Sequence, residues 1–401
     1  MNEWNTVKLA DAPLEILDGD RGKNYPSQDE FSGYGYCLFL STKNVRSIGF
    51  DFSECQFVSK ERDELLRKGR LKRNDVVLTT RGTVGNLGFF NEKVIYEKIR
   101  INSGMVIIRP DESKLFPAFN FYTFRKLQSD FLTFTSGSAQ PQLPIRDLRE
   151  IEISIPSLEE QKAIASVLSS LDDKIDLLHR QNTTLERMAE TLFRQWFVEE
   201  AQEGWEEVLI TKLFDVRDGT HDSPKQKTIG KPLITSKHIN GNRLDFESAY
   251  LISAEDFEKI NQRSKVDKND ILISMIGTIG LIYLEQSDEV NYAIKNVGLF
   301  KTSKNPNWMA YTYFWLKSHL GRQFLDEHIS GSTQEYVSLG SFRSIAFKKP
   351  PTEKLEEFNK VANGYLHKIK NNSAQIQTLE KLRDNLLPKL MSGEVRVTYD
   401  A

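Results

Sequence analysis

Two short loops, each occurring twice, hold the residues of this chain whose types and spacing could do chemistry. Ser136-Gly137-Ser138-Ala139-Gln140 returns 194 positions later as Ser330-Gly331-Ser332-Thr333-Gln334. Gly82-Thr83-Val84-Gly85 returns as Gly277-Thr278-Ile279-Gly280. A Gly-x-x-Gly loop lets backbone amides approach a phosphate; after a strand, the same pair serves a tight turn, and taken alone the turn is the better reading. Arg81 precedes the first glycine pair and Ile276 the second, so a kept scaffold carries a changed side chain at a position able to read a base edge. Group-transfer chemistry finds no such support. There is no Gly-Lys-Ser/Thr phosphate loop, no histidine pair at metal-ligand spacing and no nucleophile in a recognised elbow. Arg109–Lys114 (RPDESK) has the outline of an acidic-lysine nuclease set, but its counterpart Phe300–Asn305 (FKTSKN) keeps no acid, which sets that reading aside.

The elements that must position these loops are themselves duplicated. Residues 39–45 match 233–239, residues 50–59 match 244–253, and residues 148–156 match 342–350, all at the same offset. Residues 72–85 match 267–280 with a slip of one, and residues 102–106 align with 296–300. Each copy opens on a tryptophan-containing stretch and an Asp-Gly pair, Asp18-Gly19 and Asp218-Gly219. Agreement in order and spacing over so many blocks makes the chain a tandem duplication. The first part of each copy mixes short β-rich runs with Gly and Asn turns. One helix there, within residues 117–134, has aromatics at helical spacing, which read better as core than as stacking platforms. After the Asp-Gly pairs the copies diverge in length and sequence, as two related binding sites with different specificities would. The basic run at residues 67–73 fits phosphate contact and a solvated face equally well.

The second part of each copy is a long helix. Ile164, Leu168, Leu171, Ile175, Leu178, Asn182, Leu185, Ala189, Leu192 and Trp196 alternate at spacings of four and three, a coiled-coil seam. The second copy repeats it as Phe358, Ala362, Tyr365, Ile369, Asn372, Ile376, Leu379, Arg383, Leu386 and Leu390. Ser157 with Glu160 is a capping-box signature, Thr352 with Glu353 a weaker start, and Gly204 and Gly393 mark the regions past the two ends. Pro388 should disturb the last turn. Connectivity makes the two helices antiparallel, because the first helix's end and the second helix's start both meet the second globular part. The expectation is a rod of about 40 residues, roughly 60 Å, with a globular domain at either end.

Composition is that of a soluble globular protein, with 401 residues, 39% hydrophobic and 27% charged, enough for two or three domains. A formal net charge of −2 gives no global basic field, which counts mildly against nucleic acid, although only the local face matters. Cys37 and Cys55 make neither a disulfide framework nor a metal set, and the N-terminus lacks signal-peptide regions. The longest apolar run, near residues 275–284, is too short to cross a bilayer. A cytoplasmic location without membrane contact is expected.

The order of globular part, IPSLEEQ…LDDKI helix, globular part and a helix ending LLPKLMSGEV resembles the specificity subunit of type I restriction-modification systems, over essentially the whole chain. The TRGTVG and SGSAQ blocks match that family's target-recognition domains, while PPTEKLEEF departs from its usual Pro…Glu-Gln helix start. The resemblance implies an α+β fold: two tandem-duplicated mixed α/β target-recognition domains separated by two long helices in an antiparallel coiled coil, with pseudo-twofold symmetry. The boundaries expected are a first recognition domain at 1–156, a central helix at 157–200, a second recognition domain at 205–350, a C-terminal helix at 351–393 and a tail at 394–401. It implies a non-catalytic reader of double-stranded DNA, each domain reading one half of a bipartite asymmetric site. The helices would set the gap and dock two modification (methyltransferase) subunits. No cofactor is expected in this chain and no metal. S-adenosylmethionine, ATP and Mg would belong to the modification subunits and to restriction (motor-nuclease) subunits. Two readers about one turn apart on DNA would lie on the order of 34 Å from one another. The DNA-contact candidates are Lys43, Thr80, Arg81, Thr83, Ser138 and Gln140 in the first copy, and Lys237, Thr278, Thr333 and Gln334 in the second. Gln pairs bidentately with adenine, and Ser or Thr reaches base or phosphate. The residues alone also fit a scaffold of two protein-binding modules on a helical rod.

Overall fold

The computed structural model describes residues 4–22, 24–47, 49–135 and 141–397. The chain forms two compact units, one built from residues up to Ile175 together with those from Thr378 onward, the other from Asp176–Gln377.

In the first unit, Leu14–Asp18, Met105–Pro110, Val76–Thr79 and Leu87–Phe89 lie side by side in that order as an antiparallel sheet. Alternate side chains of a strand face opposite ways. Val76, Leu78, Val106 and Ile108 therefore pack with Phe124, Phe131 and Leu148 on one face. Val77, Met105 and Ile107 pack with Leu38, Leu40 and Phe90 on the other. Burial on both faces is why this strand reads as an unbroken apolar run rather than an alternating one. A second sheet sets Cys37–Leu40 between antiparallel Phe57–Val58 and parallel Ile99–Ile101. Asn5–Lys8 pairs with Glu152–Ile155 and so closes the domain beside the start of the long helix.

The second unit repeats this plan strand for strand. Its antiparallel sheet runs Val216–Asp218, Val297–Phe300, Ile271–Ser274, Ile282–Leu284. Lys231–Ile234 sits between Leu251–Ile252 and Ala293–Ile294, and Glu207–Leu209 pairs with Ala346–Lys348. One alignment from the sequence needs correction. Thr79 lies opposite Met105 and Asp18 opposite Val106, whereas Ser274 lies opposite Val297 and Asp218 opposite Gly298. Val297 thus takes the place of Met105, not of Ser103. The connection before the strand accounts for one of the two residues, being Asn102–Gly104 in one copy and the shorter Lys295–Asn296, turning through Asn296 at φ 52°, in the other; the second is lost ahead of Ile294, which takes the place of Ile101.

The aromatic helices serve as core, as expected. Pro117–Lys126 buries Phe119, Tyr122 and Phe124, and Met309–Lys317 buries Tyr311, Tyr313, Phe314 and Trp315.

The two long helices are Leu158–Arg194 and Thr352–Ser392. Within the first unit Ile164, Ala165 and Leu168 pack against Leu387, Leu390 and Met391, and Asp172 meets Arg383 at 2.9 Å, so the segments run antiparallel. Within the second unit Asn372 Nδ2 donates to Asn182 Oδ1 at 2.8 Å, while Phe193 and Phe197 pack edge-on to Phe358. These segments run antiparallel too. Of the seam, Ile164, Leu168, Ile175, Leu178, Phe358, Ile369 and Ile376 are buried, and Leu171, Leu185, Leu192, Tyr365, Leu379 and Leu386 are half-buried. An asparagine pair inside an apolar seam penalises shifted registers, which would strand it without a partner.

The helix ends add detail to the sequence reading. Pro388 does not end its helix, which continues to Ser392, because Leu387, Leu390 and Met391 anchor the last turns in the core. Gly204 lies past the first helix, which runs out through a π turn at Gln195–Glu199 that drives Phe197 into the second unit's core. Only half of the capping box forms. Ser157 Oγ accepts from the Glu160 amide at 3.3 Å, but the Glu160 carboxylate is drawn off to Trp4 Nε1 and Arg396. Among the described residues, no helix is long and apolar enough to cross a membrane.

Candidate nucleic-acid interface

Both glycine loops are wired identically. In the first copy the Thr79 hydroxyl donates to the Thr83 carbonyl and accepts from the Asn86 amide at 2.9 Å, and the Gly85 amide returns to the Thr79 carbonyl at 3.0 Å. In the second, Ser274 Oγ donates to the Thr278 carbonyl at 2.6 Å and accepts from the Leu281 amide at 2.8 Å, with Gly280 returning to Ser274 at 3.1 Å. Gly82, Gly85, Gly277 and Gly280 all have positive φ, so this loop shape needs glycine at both ends. The hydroxyl at the strand's end clamps the loop shut and leaves Thr83 and Thr278 exposed at its tip.

The segment after each pentamer then pairs with the residue before each glycine pair. Arg81 stands opposite Gln142, and the Leu143 amide donates to the Thr80 carbonyl at 2.9 Å. Ile276 stands opposite Tyr336, and the Val337 amide donates to the Met275 carbonyl at 3.0 Å. In the second copy the two repeated loops are thus one site, and in the first Gln142 and Leu143 lie at the matching place beside the glycine loop. Thr333 and Gln334 are exposed on the turn between Ile329–Ser330 and Tyr336–Val337. That turn is so tight that a Cβ on Gly331 would lie 2.4 Å from the Gln334 carbonyl oxygen. Ser138 and Gln140 lie outside the described residues.

A third segment joins them. Ser41–Asn44 is a turn closed by the Asn44 side chain, which accepts from the Ser41 amide at 3.0 Å and donates to the carbonyls of Asp51 and Glu54. It exposes Lys43 and presses Thr42 against Gly104, where a Cβ would come within 2.9 Å. In the second copy His238 does the work of Asn44, its Nδ1 accepting from the Thr235 amide at 2.9 Å, and Lys237 is the exposed cation. Burial holds the His238 imidazole below its ordinary pKa, with the neighbouring Lys237 charge acting the same way. Among the described residues neither Lys43, Lys237 nor Arg81 has a hydrogen-bond or ion-pair partner for its charged group. Lys43 and Arg81 stand at the first loop cluster and Lys237 at the second.

Thr80 has a different part from that expected of it. It is buried and its hydroxyl donates to the Gly104 carbonyl at 3.2 Å, so it belongs to the scaffold beneath Arg81. The basic run of residues 67–73 is partly committed as well. Arg70 pairs with Asp63, while Arg73 bonds the carbonyls of Asn91 and Val94 and lies 4.3 Å over the Phe90 ring. The RPDESK stretch dissolves in the same way, with Arg109 on Asp75 at 2.7 Å and Asp111 capping Ser113 at 2.6 Å. No cluster of three or more potential metal ligands occurs among the described residues. The sequence pointed to the stretches 141–144 and 335–338, which hold Gln142 and Tyr336, as a place where the two copies would read differently. It did not single out the clamps Thr79 and Ser274 or the turn-closers Asn44 and His238, although each pair matches at the repeat offset to within one residue.

At the Asp-Gly pairs the copies diverge in structure too. Asp18 takes Arg21 at 3.0 Å, and the nearby Asp20 accepts from the amides of Arg21 and Arg67 at 2.8 and 2.7 Å. Asp218, the counterpart of Asp18, takes Arg263 and His221, whose other ring nitrogen meets Asn296 Oδ1 at 2.8 Å.

Comparison with known proteins gives a consistent result. A family model described as "Type I restriction modification DNA specificity domain" matches residues 1–187 and again 202–382. The MjaIX specificity subunit of Methanocaldococcus jannaschii is 27% identical, the match covering 80% of this chain and 78% of that one. The HindI specificity subunit of Haemophilus influenzae is 21% identical over 98% of this chain and 100% of its own. In fold the chain is similar to the type I restriction-modification S subunit from M. genitalium, with a TM-score of 0.57 at 14% identity, covering 98% and 97% of the two chains.

Proposed function

The chain belongs to the family of type I restriction-modification DNA specificity domains, and from that premise we propose that each of its two loop clusters reads one half of a bipartite, asymmetric DNA site. The observation that carries this reading is the loop pair itself: the same clamp in both copies, capped by side chains that differ. Lys43 and Lys237 supply charge for phosphate contact, Arg81 stands where it can read a base edge, and Thr83, Thr278, Thr333 and Gln334 supply donors and acceptors that reach bases or phosphates. The long helices act as the spacer between half-sites and as the dock for two modification subunits. Those subunits methylate adenine with S-adenosylmethionine, which requires the target base to leave the stack. Restriction subunits that consume ATP complete the nuclease, and the whole operates in the cytoplasm.

The near-neutral net charge of this chain fits a reader whose partners supply much of the basic clamp. Co-expression with the modification subunit, followed by methylome sequencing, tests the proposal. A split adenine-methylated motif is expected, and exchange of residues 1–150 should change one half of it only. Absence of any motif dependent on this chain, with a folded complex recovered, would leave a protein-binding scaffold as the reading.

A further inference from the structure

We propose that the cross-strand pairs Arg81–Gln142 and Ile276–Tyr336 are equivalent specificity-determining pairs, the first selecting a guanine and the second an A·T pair through its thymine methyl group. This rests on the DNA reading above and goes beyond it by assigning a position and a base class to each domain.

The argument starts from strand geometry. Residues directly opposite in an antiparallel bridge send their side chains to the same face, and their chain neighbours send theirs to the other. Thr80 and Leu143, which flank the first pair, are 6% and 2% exposed, so the inner face is fully taken. Met275 and Val337, which flank the second, are 6% and 0% exposed. Both pairs must therefore point outward, and they do: Arg81 is exposed and Gln142 half-buried, Ile276 half-buried and Tyr336 42% exposed. The two outward pairs occupy the same place on the same scaffold, fixed by Thr80–Leu143 and Met275–Val337 hydrogen bonds of 2.9 and 3.0 Å.

What differs is chemistry. An arginine with no partner among the described residues, beside an amide side chain, is a fork of donors suited to the O6 and N7 acceptors of guanine. An isoleucine beside an exposed tyrosine ring offers no donor fork but an apolar surface, which in the major groove is complementary to the thymine methyl. Leaving the Tyr336 ring outward costs solvation in the free protein, while Ile276 is half-buried with one side against the domain core. Gly82 and Gly277 beside them bear no side chain, so nothing at the next residue obstructs approach to the groove.

The test is a reciprocal transplant in the complex with the modification subunits. R81I/Q142Y should abolish the requirement for guanine at one position of the first half-site and replace it with an A·T requirement, leaving the second half-site as it was. I276R/Y336Q should impose guanine at one position of the second half-site alone. As a second measurement, Arg81→Ala should weaken binding to the cognate duplex by between about 5-fold and 150-fold, and that loss should vanish on duplexes already substituted at the guanine. A loss equal for every base at every position, with the salt slope reduced by about one, would make Arg81 a phosphate contact and overturn the proposal. Unchanged motifs in both transplants would overturn it too. If the unmodified chain directs no split motif at all, the DNA reading fails instead, and the outcomes do not overlap.

Discussion

The two globular domains of this chain solve one structural problem with two kinds of interior. In the first, Asp63 on the short helix Lys60–Leu65 is fully buried and meets Arg100 Nε at 2.5 Å, with Arg70 as a second partner. Arg100 also donates to the carbonyls of Lys68, Asp63 and Leu66. In the second, the helix Ala254–Ser264 begins at the matching cap, Ser253 for Ser59, and the places of Asp63 and Arg100 fall to Phe257 and Ala293, which share an apolar cluster with Leu233, Ile252 and Ile260. The glycine loops, by contrast, kept their clamp hydrogen bond for hydrogen bond. The difference teaches where duplication tolerates change. A core can exchange a satisfied ion pair for packed carbon, since the two are close in free energy. A loop held by one hydroxyl and two left-handed glycines has no such alternative.

The largest expected effect breaks that comparison at the buried pair. Asp63→Ala leaves the buried Arg100 cation uncompensated and should cost the first domain about 3–5 kcal/mol. Installing the second domain's solution, Asp63→Phe with Arg100→Ala, should recover most of it. Native-state hydrogen exchange, read separately on peptides of the two domains, gives the numbers; a double variant as unstable as the single one would show the two interiors are not interchangeable.

Next come the clamps. Thr79→Val and Ser274→Ala each strand a backbone amide, Asn86 in one case and Leu281 in the other, and should cost about 1–3 kcal/mol. Near-equal losses in the same exchange experiment sharpen the identity of the loops. A loss in one domain only would mean that the wiring is shared but its weight is not.

The exposed cations test the likeness of the two surfaces. Lys43→Ala and Lys237→Ala should each reduce the salt dependence of DNA binding by about 0.9 in log–log slope, without altering the motif. Titrations of the complex at several salt concentrations measure this, and an altered motif would promote either lysine to a base reader.

The smallest effect separates the turns. His238 is held below its ordinary pKa of 6.5 by burial, so the unfolded chain binds the proton more readily than the folded one. Its contribution to stability is complete above pH 6.5 and is lost as pH falls below it. Asn44 occupies the equivalent place and does not titrate. Denaturant midpoints of the second domain should therefore fall from pH 7 to 5.5 more than those of the first, and His238→Asn should shrink the gap.

Much of this molecule was legible in the primary structure because it depends on local period. The helical seam, the duplication and the glycine loops each announce themselves within a few turns of chain, down to Asn182 and Asn372, which sit in the seam where heptad spacing puts them. Most aromatics of residues 117–134 fell to the core, Phe124 and Phe131 in one cluster and Phe119 and Tyr122 in another, with Phe134 left exposed. Pairing across long stretches was not legible in the same way. The 102–106 block aligned by identity is displaced by two residues in the sheet, since strand register follows hydrogen bonding and the length of the preceding turn rather than residue likeness. Likewise Asp172 gathers Tyr122 at 2.7 Å and Arg125 at 3.2 Å from one helix and Arg383 at 2.9 Å from another, segments that no local pattern connects to it.

The sequence by itself determined that there are two copies, that each ends in a helix needing a partner, and which loop residues belong to the repeated scaffold. Only the tertiary structure decided which of them face outward. Thr80 and Arg81 are neighbours of similar promise in the chain, yet one is buried on a carbonyl and the other exposed, because the strand end pairs with Gln142–Leu143 some sixty residues away. Alternation then sends adjacent side chains to opposite faces. Which face is the core depends on what packs there, and that information is spread over the whole domain.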